Sequence, residues 1–175
     1  MDEAIEDYLG FVRFEKRLSD NTIISYGEDL SKYNEFLNKK GINKPNNIDT
    51  KDIEKYLEYL KDNDYDIKSI ARKLTTIKNF HNYLYQRGKI KQNVAESIER
   101  PKTRKSLPKV MTVEEVDKLL NIECKTAFDY RNKAMLELLY ATGLRISELL
   151  NLKLGDIDLE NCVVRCFGKG SKERI

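Results

Sequence analysis

The chain has 175 residues, enough for one ordinary domain or two small ones with a real hydrophobic core. Apolar residues make up 40% and charged residues 35%, so the chain is highly charged but has too many aliphatic and aromatic residues to be disordered. No stretch approaches about 18 consecutive apolar residues, which excludes a membrane-spanning helix, and the acidic start excludes a secretory signal. We therefore expect a soluble, cytoplasmic protein.

The three cysteines, Cys124, Cys162 and Cys166, are an odd number in a chain without an export signal, so we interpret them as reduced thiols. Cys162 and Cys166 are close enough to suggest a pair of metal ligands. The only histidine, His81, is distant in sequence, and no fourth ligand has suitable spacing. We therefore predict that the chain has no metal site.

The formal net charge of +3 conceals a strong asymmetry along the chain. Residues 1–67 carry a net charge of −6 and residues 110–175 carry −1. Residues 68–109 carry 12 lysines and arginines against two glutamates, a net charge of +10. Exposed faces usually mix both signs, so this basic stretch predicts binding to a polyanion. The alternative is a basic linker that binds nothing.

Four amphipathic helices are predicted in residues 1–100, because apolar side chains recur there at helical spacing. Ser19 or Asp20 is suited to cap the second helix, and Asp49 or Thr50 the third. No helix could bury its apolar stripe alone, so we predict a compact four-helix bundle. The four stripes are Ile5, Tyr8, Leu9 and Val12; Tyr26, Leu30, Tyr33 and Leu37; Ile53, Tyr56, Leu57 and Leu60; and Ile70, Leu74, Ile77, Phe80 and Leu84.

The aromatic side chains of this bundle are interpreted as core or core-edge residues rather than as base-stacking platforms, since the four helices together can bury them. They are Tyr8, Phe11, Tyr33, Phe36 and Tyr56. The fourth helix is predicted to run from about Lys68 to Gly88. His81 lies near its apolar stripe, so we interpret this histidine as structural rather than catalytic.

Residues 101–109 are predicted to be a linker, with the domain boundary near Arg104. The segment from Arg100 to Pro108 has four basic residues and two prolines, which remove backbone donors and disfavour helix. Residues 110–175 then form a second domain. Thr112 with Glu115, three residues later, matches a capping box at the start of its first helix.

The rest of the second domain is predicted to be two helices and a β-hairpin. The first of these helices covers about residues 127–141, Gly143 is its left-handed cap, and a short helix covers about residues 144–152. Residues 162–167 alternate as a strand does. A turn at residues 168–171 leads to a returning strand that has no further partner, so the domain is expected to be incomplete. The buried face of the strand is predicted to hold Cys162, Val164 and Cys166.

The fourth helix has a polar face opposite its apolar stripe, found by advancing about 100° per residue from Ile70. This face combines cations with short hydrogen-bonding side chains and has no carboxylate; it consists of Lys68, Arg72, Thr75, Thr76 and Asn79. Such a helix fits the major groove of B-DNA, with cations on phosphates and polar groups near base edges. We predict that these residues contact DNA together with Lys73, Lys102, Arg104 and Lys105. The alternative is an ordinary exposed surface.

Two short motifs of the second domain are suited to bind an anion. In Ala141–Leu149, a glycine ends one helix and Arg145 begins the next, where backbone N–H groups and a guanidinium can bind phosphate oxygens. Gly168–Lys172 places the ammonium of Lys169 in a turn, without the spacing of a Walker loop. Each motif alone is weak evidence.

In this order, these segments resemble the tyrosine recombinase (phage integrase) family, and especially its Xer branch, over nearly all 175 residues. The motifs that carry the resemblance are Leu18–Ser19 with Thr22, Tyr26, Asp29–Leu30 and Phe36–Leu37; Ser69–Leu74 leading to Asn93 and Pro101–Lys102; Leu107–Lys109 and Thr112–Val116; Ala141–Leu149; and Gly168–Arg174.

The resemblance implies a mainly α fold, with a four-helix SAM-like core-binding domain followed by the first helices and β-hairpin of an incomplete α+β catalytic domain. It also implies that Arg145 is the first catalytic arginine and that Lys169 is the catalytic lysine. In this family a tyrosine attacks the scissile phosphate to form a 3′-phosphotyrosine, two arginines hold the non-bridging oxygens, and the lysine protonates the leaving 5′-oxygen. The resemblance implies no metal or nucleotide cofactor, and a tetramer of the full-length protein on two double-stranded DNA sites.

The sequence departs from the family because the His-x-x-Arg motif, the third His or Trp position and the nucleophilic tyrosine are absent from these 175 residues. We therefore expect this chain to bind DNA weakly and not to cleave it. Two alternatives to a fragment of a recombinase remain. One is a natural short DNA-binding protein that occupies recombination sites without cleavage, and the other is a helical protein-interaction module.

Overall fold

The computed structural model describes residues 1–102, 107, 109–168 and 173–175. The chain divides into two compact units, Met1–Ser106 and Leu107–Ile175. In the part of the chain that the structure describes, no helix combines the length and the apolar character needed to cross a lipid bilayer.

The first unit contains four α-helices, which are α1 (Asp2–Phe14), α2 (Asp20–Lys39), α3 (Thr50–Asp62) and α4 (Ile67–Gln86). The carboxylates of Asp49 and Asp52 each accept the backbone N–H of the other residue, which completes the capping box that starts α3. Gly41 and Gly88 follow α2 and α4 with φ of 75° and 67°, a conformation that glycine adopts without strain. The predicted four-helix bundle is confirmed.

The core of the first unit is formed by the apolar stripes of all four helices. The side chains of Leu30, Leu37, Ile53, Leu74 and Phe80 are fully buried. Tyr8, Tyr33 and Tyr56 are also buried, and Phe11 and Phe36 pack against the edge of the core. The prediction that these aromatic rings are core residues is therefore confirmed, because their faces are covered by protein.

His81 lies inside this core with no exposed surface. Its Nε2 is 3.3 Å from the hydroxyl oxygen of Tyr33, and its Nδ1 has no hydrogen-bond partner among the described residues. Burial lowers the pKa of His81 to about 4, because the charged imidazolium would lose its hydration there. A neutral, enclosed imidazole is consistent with a structural role.

The second unit contains three helices and two small antiparallel hairpins. The helices are α5 (Val113–Leu120), α6 (Ala127–Thr142) and α7 (Ile146–Leu150), and the strands are β1 (Ile157–Asp158), β2 (Val163–Val164), β3 (Cys166–Phe167) and β4 (Glu173–Arg174). The predicted capping box of Thr112 and Glu115 is present at α5. Gly143 ends α6 with a φ of 64°, as predicted. In sequence order β1 pairs with β2, and β3 pairs with β4.

The prediction of one strand over residues 162–167 was wrong. The backbone N–H of Arg165 donates to the carbonyl of Asp156 at 2.8 Å, and this residue separates β2 from β3. Cys162 lies in the turn before β2, is exposed and has a φ of 53°, so it does not share a buried face with Cys166. The alternation of residue types did not reveal that the segment pairs with two different strands.

The second unit encloses little apolar surface. Among its described residues only Glu148, Leu149 and Cys166 are buried, whereas Leu154 and Leu159 are 91% and 85% exposed. The helices of this unit begin with capping bonds, and they present apolar side chains such as Phe128, Ile146 and Leu150 to solvent.

We predict that the first unit loses stability as the pH falls from 7 towards 5, because His81 takes up a proton in the unfolded chain before it does so in the folded one. The folded-state pKa of about 4 lies below the ordinary value of 6.5. The free energy of unfolding should therefore decrease by about 2 kcal/mol over this range. Urea unfolding followed by circular dichroism at both pH values measures the decrease.

The matched control is His81→Gln, which keeps a polar partner for Tyr33 but does not titrate. Because His81 is the chain's one histidine, the variant should lose most of this pH dependence. An equal decrease in stability in the variant and in the unaltered chain would contradict the prediction.

Candidate functional site

A groove on the outer side of α4 brings together several of the residues that were predicted to contact DNA. Its volume is about 300 Å³, and its lining includes Lys68, Arg72, Thr75, Tyr26 and Arg100.

 Lys68 and Arg72 lie near the start of α4, and Arg100 follows the four helices in the chain. All three side chains are exposed. A concave surface with several cations is suited to bind phosphate oxygens. The Thr75 hydroxyl donates its proton to the backbone carbonyl of Ala71 at 2.8 Å.

Asp29 on α2 lies beneath this groove and binds three side chains of α4. Its carboxylate is 1% exposed and accepts two hydrogen bonds from the guanidinium of Arg72, at 2.5 and 2.9 Å. It also accepts a hydrogen bond from the ammonium of Lys73 at 2.7 Å and one from the hydroxyl of Thr76 at 3.1 Å. One buried carboxylate therefore joins two helices and fixes an arginine whose side chain is 51% exposed.

Two of the predicted DNA contacts are corrected by this arrangement. Lys73 is 4% exposed and Thr76 is fully buried, so neither side chain is available to a ligand on the surface. The reason is that α2 packs against this side of α4 and brings the carboxylate of Asp29 with it. The helical projection gave the direction of each side chain but not the position of the neighbouring helix.

Two further predicted DNA contacts, Asn79 and Lys102, do not line this groove. Asn79 is exposed on α4 and donates its amide to the hydroxyl of Tyr26 at 3.3 Å. Lys102 is exposed at the end of the first unit. Arg104 and Lys105 are outside the described residues.

Arg145 caps the start of α7, and both its backbone and its side chain bind Glu148. Its backbone N–H donates to one carboxylate oxygen at 2.8 Å, and its guanidinium donates to the other at 2.7 Å. One backbone donor at the predicted helix N-terminus, the N–H of Arg145, is therefore already bound to a carboxylate of the same helix. The side chain of Arg145 is nevertheless 61% exposed.

Glu148 is 4% exposed and lies between two arginines, since Arg174 on β4 approaches its other oxygen at 3.6 Å. The backbone N–H of Arg145, then its guanidinium, and also the charge of Arg174 hold the pKa of the Glu148 carboxyl below its usual value. The carboxylate is therefore ionised at neutral pH. It keeps the two arginines near each other although their charges repel.

A groove of about 410 Å³ adjoins this cluster in the second unit. Arg145 and Arg165 both line it, together with Ser147, Asn151 and the backbone at Gly168. Two guanidiniums at one concave surface can hold an anion such as a phosphodiester. Lys169, the predicted catalytic lysine, lies outside the described residues.

The sequence interpretation missed Asp29, Arg100, Arg165 and Arg174. Asp29 could have been found, because it lies within the stripe of Tyr26, Leu30 and Tyr33, and a carboxylate at a core position indicates a buried ion pair. The three arginines gave no such indication, since their neighbours in space come from distant segments.

Two family models match the chain. The model described as "Phage integrase, N-terminal SAM-like domain" matches residues 5–88, and the model described as "Phage integrase family" matches residues 109–175. The SAM-like bundle expected from the sequence is thus confirmed. The two matches cover the bundle and nearly all of the second unit.

Among individual proteins, the chain is 43% identical to tyrosine recombinase XerD from Oceanobacillus iheyensis over 176 aligned positions, which cover 100% of this chain and 59% of that protein. The chain thus spans about three fifths of this relative's length. Its fold is similar to that of a lambda integrase dimer bound to a COC′ core site, with a TM-score of 0.78, 18% identity and coverage of 99% of this chain and 60% of that one.

A second solved structure with the same fold is the XerH site-specific recombinase bound to a palindromic difH substrate, in a post-cleavage complex. Its TM-score is 0.71 at 22% identity, and the match covers 97% of this chain and 51% of that one. The two family models and the sequence identity to XerD show that the chain belongs to the tyrosine recombinase (phage integrase) family.

Proposed function

We propose that this chain supplies the DNA-binding unit and the first part of the catalytic unit of a site-specific tyrosine recombinase. The observation that carries the proposal is the exposed Arg145, held by the buried Glu148 at a groove that Arg165 also lines. In this proposal the complete protein cuts and rejoins double-stranded DNA in the cytoplasm through a 3′-phosphotyrosine, with four copies acting on two DNA sites.

The groove on α4 supports DNA binding by the first unit. Lys68, Arg72 and Arg100 provide three exposed cations at one concave surface. Contacts of this kind bind the phosphate backbone without reading sequence. The solved lambda integrase and XerH structures contain DNA, which makes DNA the ligand to test first.

Arg145 supports the catalytic part of the proposal. When a nucleophile attacks a phosphodiester, negative charge increases on the non-bridging oxygens, and a guanidinium held in advance stabilises that charge. The contacts with Glu148 fix Arg145 before any ligand arrives. The role of Lys169 as the general acid for the leaving 5′-oxygen rests on its match to the family motif.

We predict that the affinity of this chain for duplex DNA falls steeply as salt is raised. Each phosphate neutralised by a lysine or arginine releases bound cations, so log affinity should fall with log salt by about 0.9 per phosphate. Fluorescence anisotropy of a labelled duplex over a series of salt concentrations measures the slope. A flat response would favour the helical protein-interaction module instead.

We predict that Arg72→Ala weakens DNA binding by about 1–3 kcal/mol and lowers the salt slope by about one. The reason is that Arg72 is the exposed cation that the structure fixes most firmly in the α4 groove. Anisotropy titrations compare the variant with the unaltered chain. Lys61→Ala is the matched control, because it removes one exposed positive charge from α3. Equal losses in both variants would show that only net charge matters.

We predict that these 175 residues form no covalent bond to a nicked suicide duplex, because no residue among them matches the family's nucleophilic tyrosine. A denaturing gel separates free from protein-linked DNA, and a complete XerD assayed in parallel shows that the duplex is competent. A protein-linked band from this chain would contradict the prediction, and mapping the modified tyrosine would identify the nucleophile.

A further inference from the structure

We propose that Asp29 is a positioning residue for DNA binding, which holds the Arg72 guanidinium in the α4 groove before DNA arrives. The proposal rests on the proposed function, and it assigns a role to a buried residue of the opposite charge to the DNA-binding surface. Asp29 itself cannot touch the ligand, since its side chain is 1% exposed. Its effect must therefore pass through Arg72.

The geometry of the pair fixes both the position and the plane of the guanidinium. Nη1 and Nη2 of Arg72 each donate to a different oxygen of Asp29, at 2.5 and 2.9 Å. This bidentate pair uses two of the five N–H donors of the guanidinium. Among the described residues Arg72 donates no other side-chain hydrogen bond, and its side chain is 51% exposed. The remaining donors are available to a ligand in the groove.

Asp29 is itself held in place by other side chains. The ammonium of Lys73 and the hydroxyl of Thr76 bind the two carboxylate oxygens from the buried side. The carboxylate therefore cannot follow Arg72 if that side chain turns towards solvent. The cluster contains one anion and two cations, so it keeps a net positive charge beside the groove.

Fixing Arg72 in advance favours binding for an entropic reason. A free arginine on a surface loses rotamer freedom when it binds a phosphate, at a cost of about 0.5–1.5 kcal/mol, which corresponds to about a two- to twelvefold change in affinity. In this structure the bond to Asp29 has already removed that freedom. The opposite role is also physically possible, since a carboxylate can neutralise Arg72 and weaken its attraction for phosphate.

These two roles predict changes of opposite sign when Asp29 is replaced. If Asp29 only neutralises Arg72, its removal makes the site more positive and strengthens DNA binding. If Asp29 positions Arg72, its removal weakens binding although the site becomes more positive. A role confined to joining α2 and α4 would change the stability of the fold and leave the affinity of the folded chain unaltered.

The test is the double variant Asp29→Asn with Lys73→Met, titrated by anisotropy against a fluorescein-labelled duplex of mixed sequence. The second substitution keeps the net charge of the chain unchanged and avoids leaving a buried ammonium unpaired, which would destabilise the fold. We expect affinity to fall about two- to twelvefold. Unchanged or stronger binding by the folded double variant would overturn the proposal.

Repeating the titration with Arg72→Ala in both backgrounds separates this proposal from the proposed function. If Asp29 acts through Arg72, the double variant should cause no further loss once Arg72 is absent. The same loss with and without Arg72 would overturn the positioning role while DNA binding stands. Failure of the unaltered chain to bind duplex would instead overturn the proposed function.

A measurement on the unaltered chain covers the case in which the variants do not fold. Nitrogen-15 NMR of arginine side chains detects whether rotation of a guanidinium is hindered. We expect separate, slowly exchanging Nη signals for Arg72, and averaged signals for Arg13, which is exposed at the end of α1. Averaged signals for Arg72 would overturn the proposal, since its guanidinium would then rotate freely.

Discussion

The first unit depends on a single carboxylate buried where α2 crosses α4. Asp29 is enclosed, yet it has four hydrogen bonds from three side chains, so its charge is both paired and fully solvated by protein donors. A buried charge of this kind fixes how two helices are placed against each other, because sliding either helix would break several bonds at once. The surrounding apolar stripes bury the interface between the helices, and the hydrogen bonds of Asp29 fix the position of α2 along α4. The same hydrogen bonds fix the position of the exposed Arg72 on α4.

The bundle was predictable from the sequence because its helices are long and their apolar stripes regular. The apolar stripe of α2, for example, continues from Tyr26 to Leu37. The N-cap residue Ser19 directly precedes the first residue of this helix. The β segments were less predictable, since their strands have two residues each and form by pairing rather than by local preference. Cys162 shows the difference: alternation suggested a strand, but the residue lies in a turn in which the Asp158 carboxylate accepts the backbone N–H groups of Glu160 and Asn161.

The candidate site was predictable where residue type decides the chemistry, as for Arg72 and Arg145. The site was not predictable where neighbouring elements decide whether a side chain is buried or exposed. Lys73 and Thr76 carry the same kinds of groups as Lys68 and Thr75, but the packing of α2 buries the first two, whereas Lys68 is exposed and Thr75 is half-buried. The start of α7 was expected to offer free backbone donors to an anion, but the N–H of Arg145 already binds Glu148, three residues later. Such competition between a ligand and an internal partner is visible only in three dimensions.

The position of Arg174 bears on how Arg145 could exchange partners. A guanidinium that turns towards a phosphodiester must share or release Glu148, and an enclosed carboxylate left without a cation would strongly disfavour that movement. Arg174, which approaches the same carboxylate from β4, would leave Glu148 with one cationic neighbour if Arg145 turned to an anion. A second arginine beside the buried carboxylate would therefore lower the electrostatic cost of such an exchange.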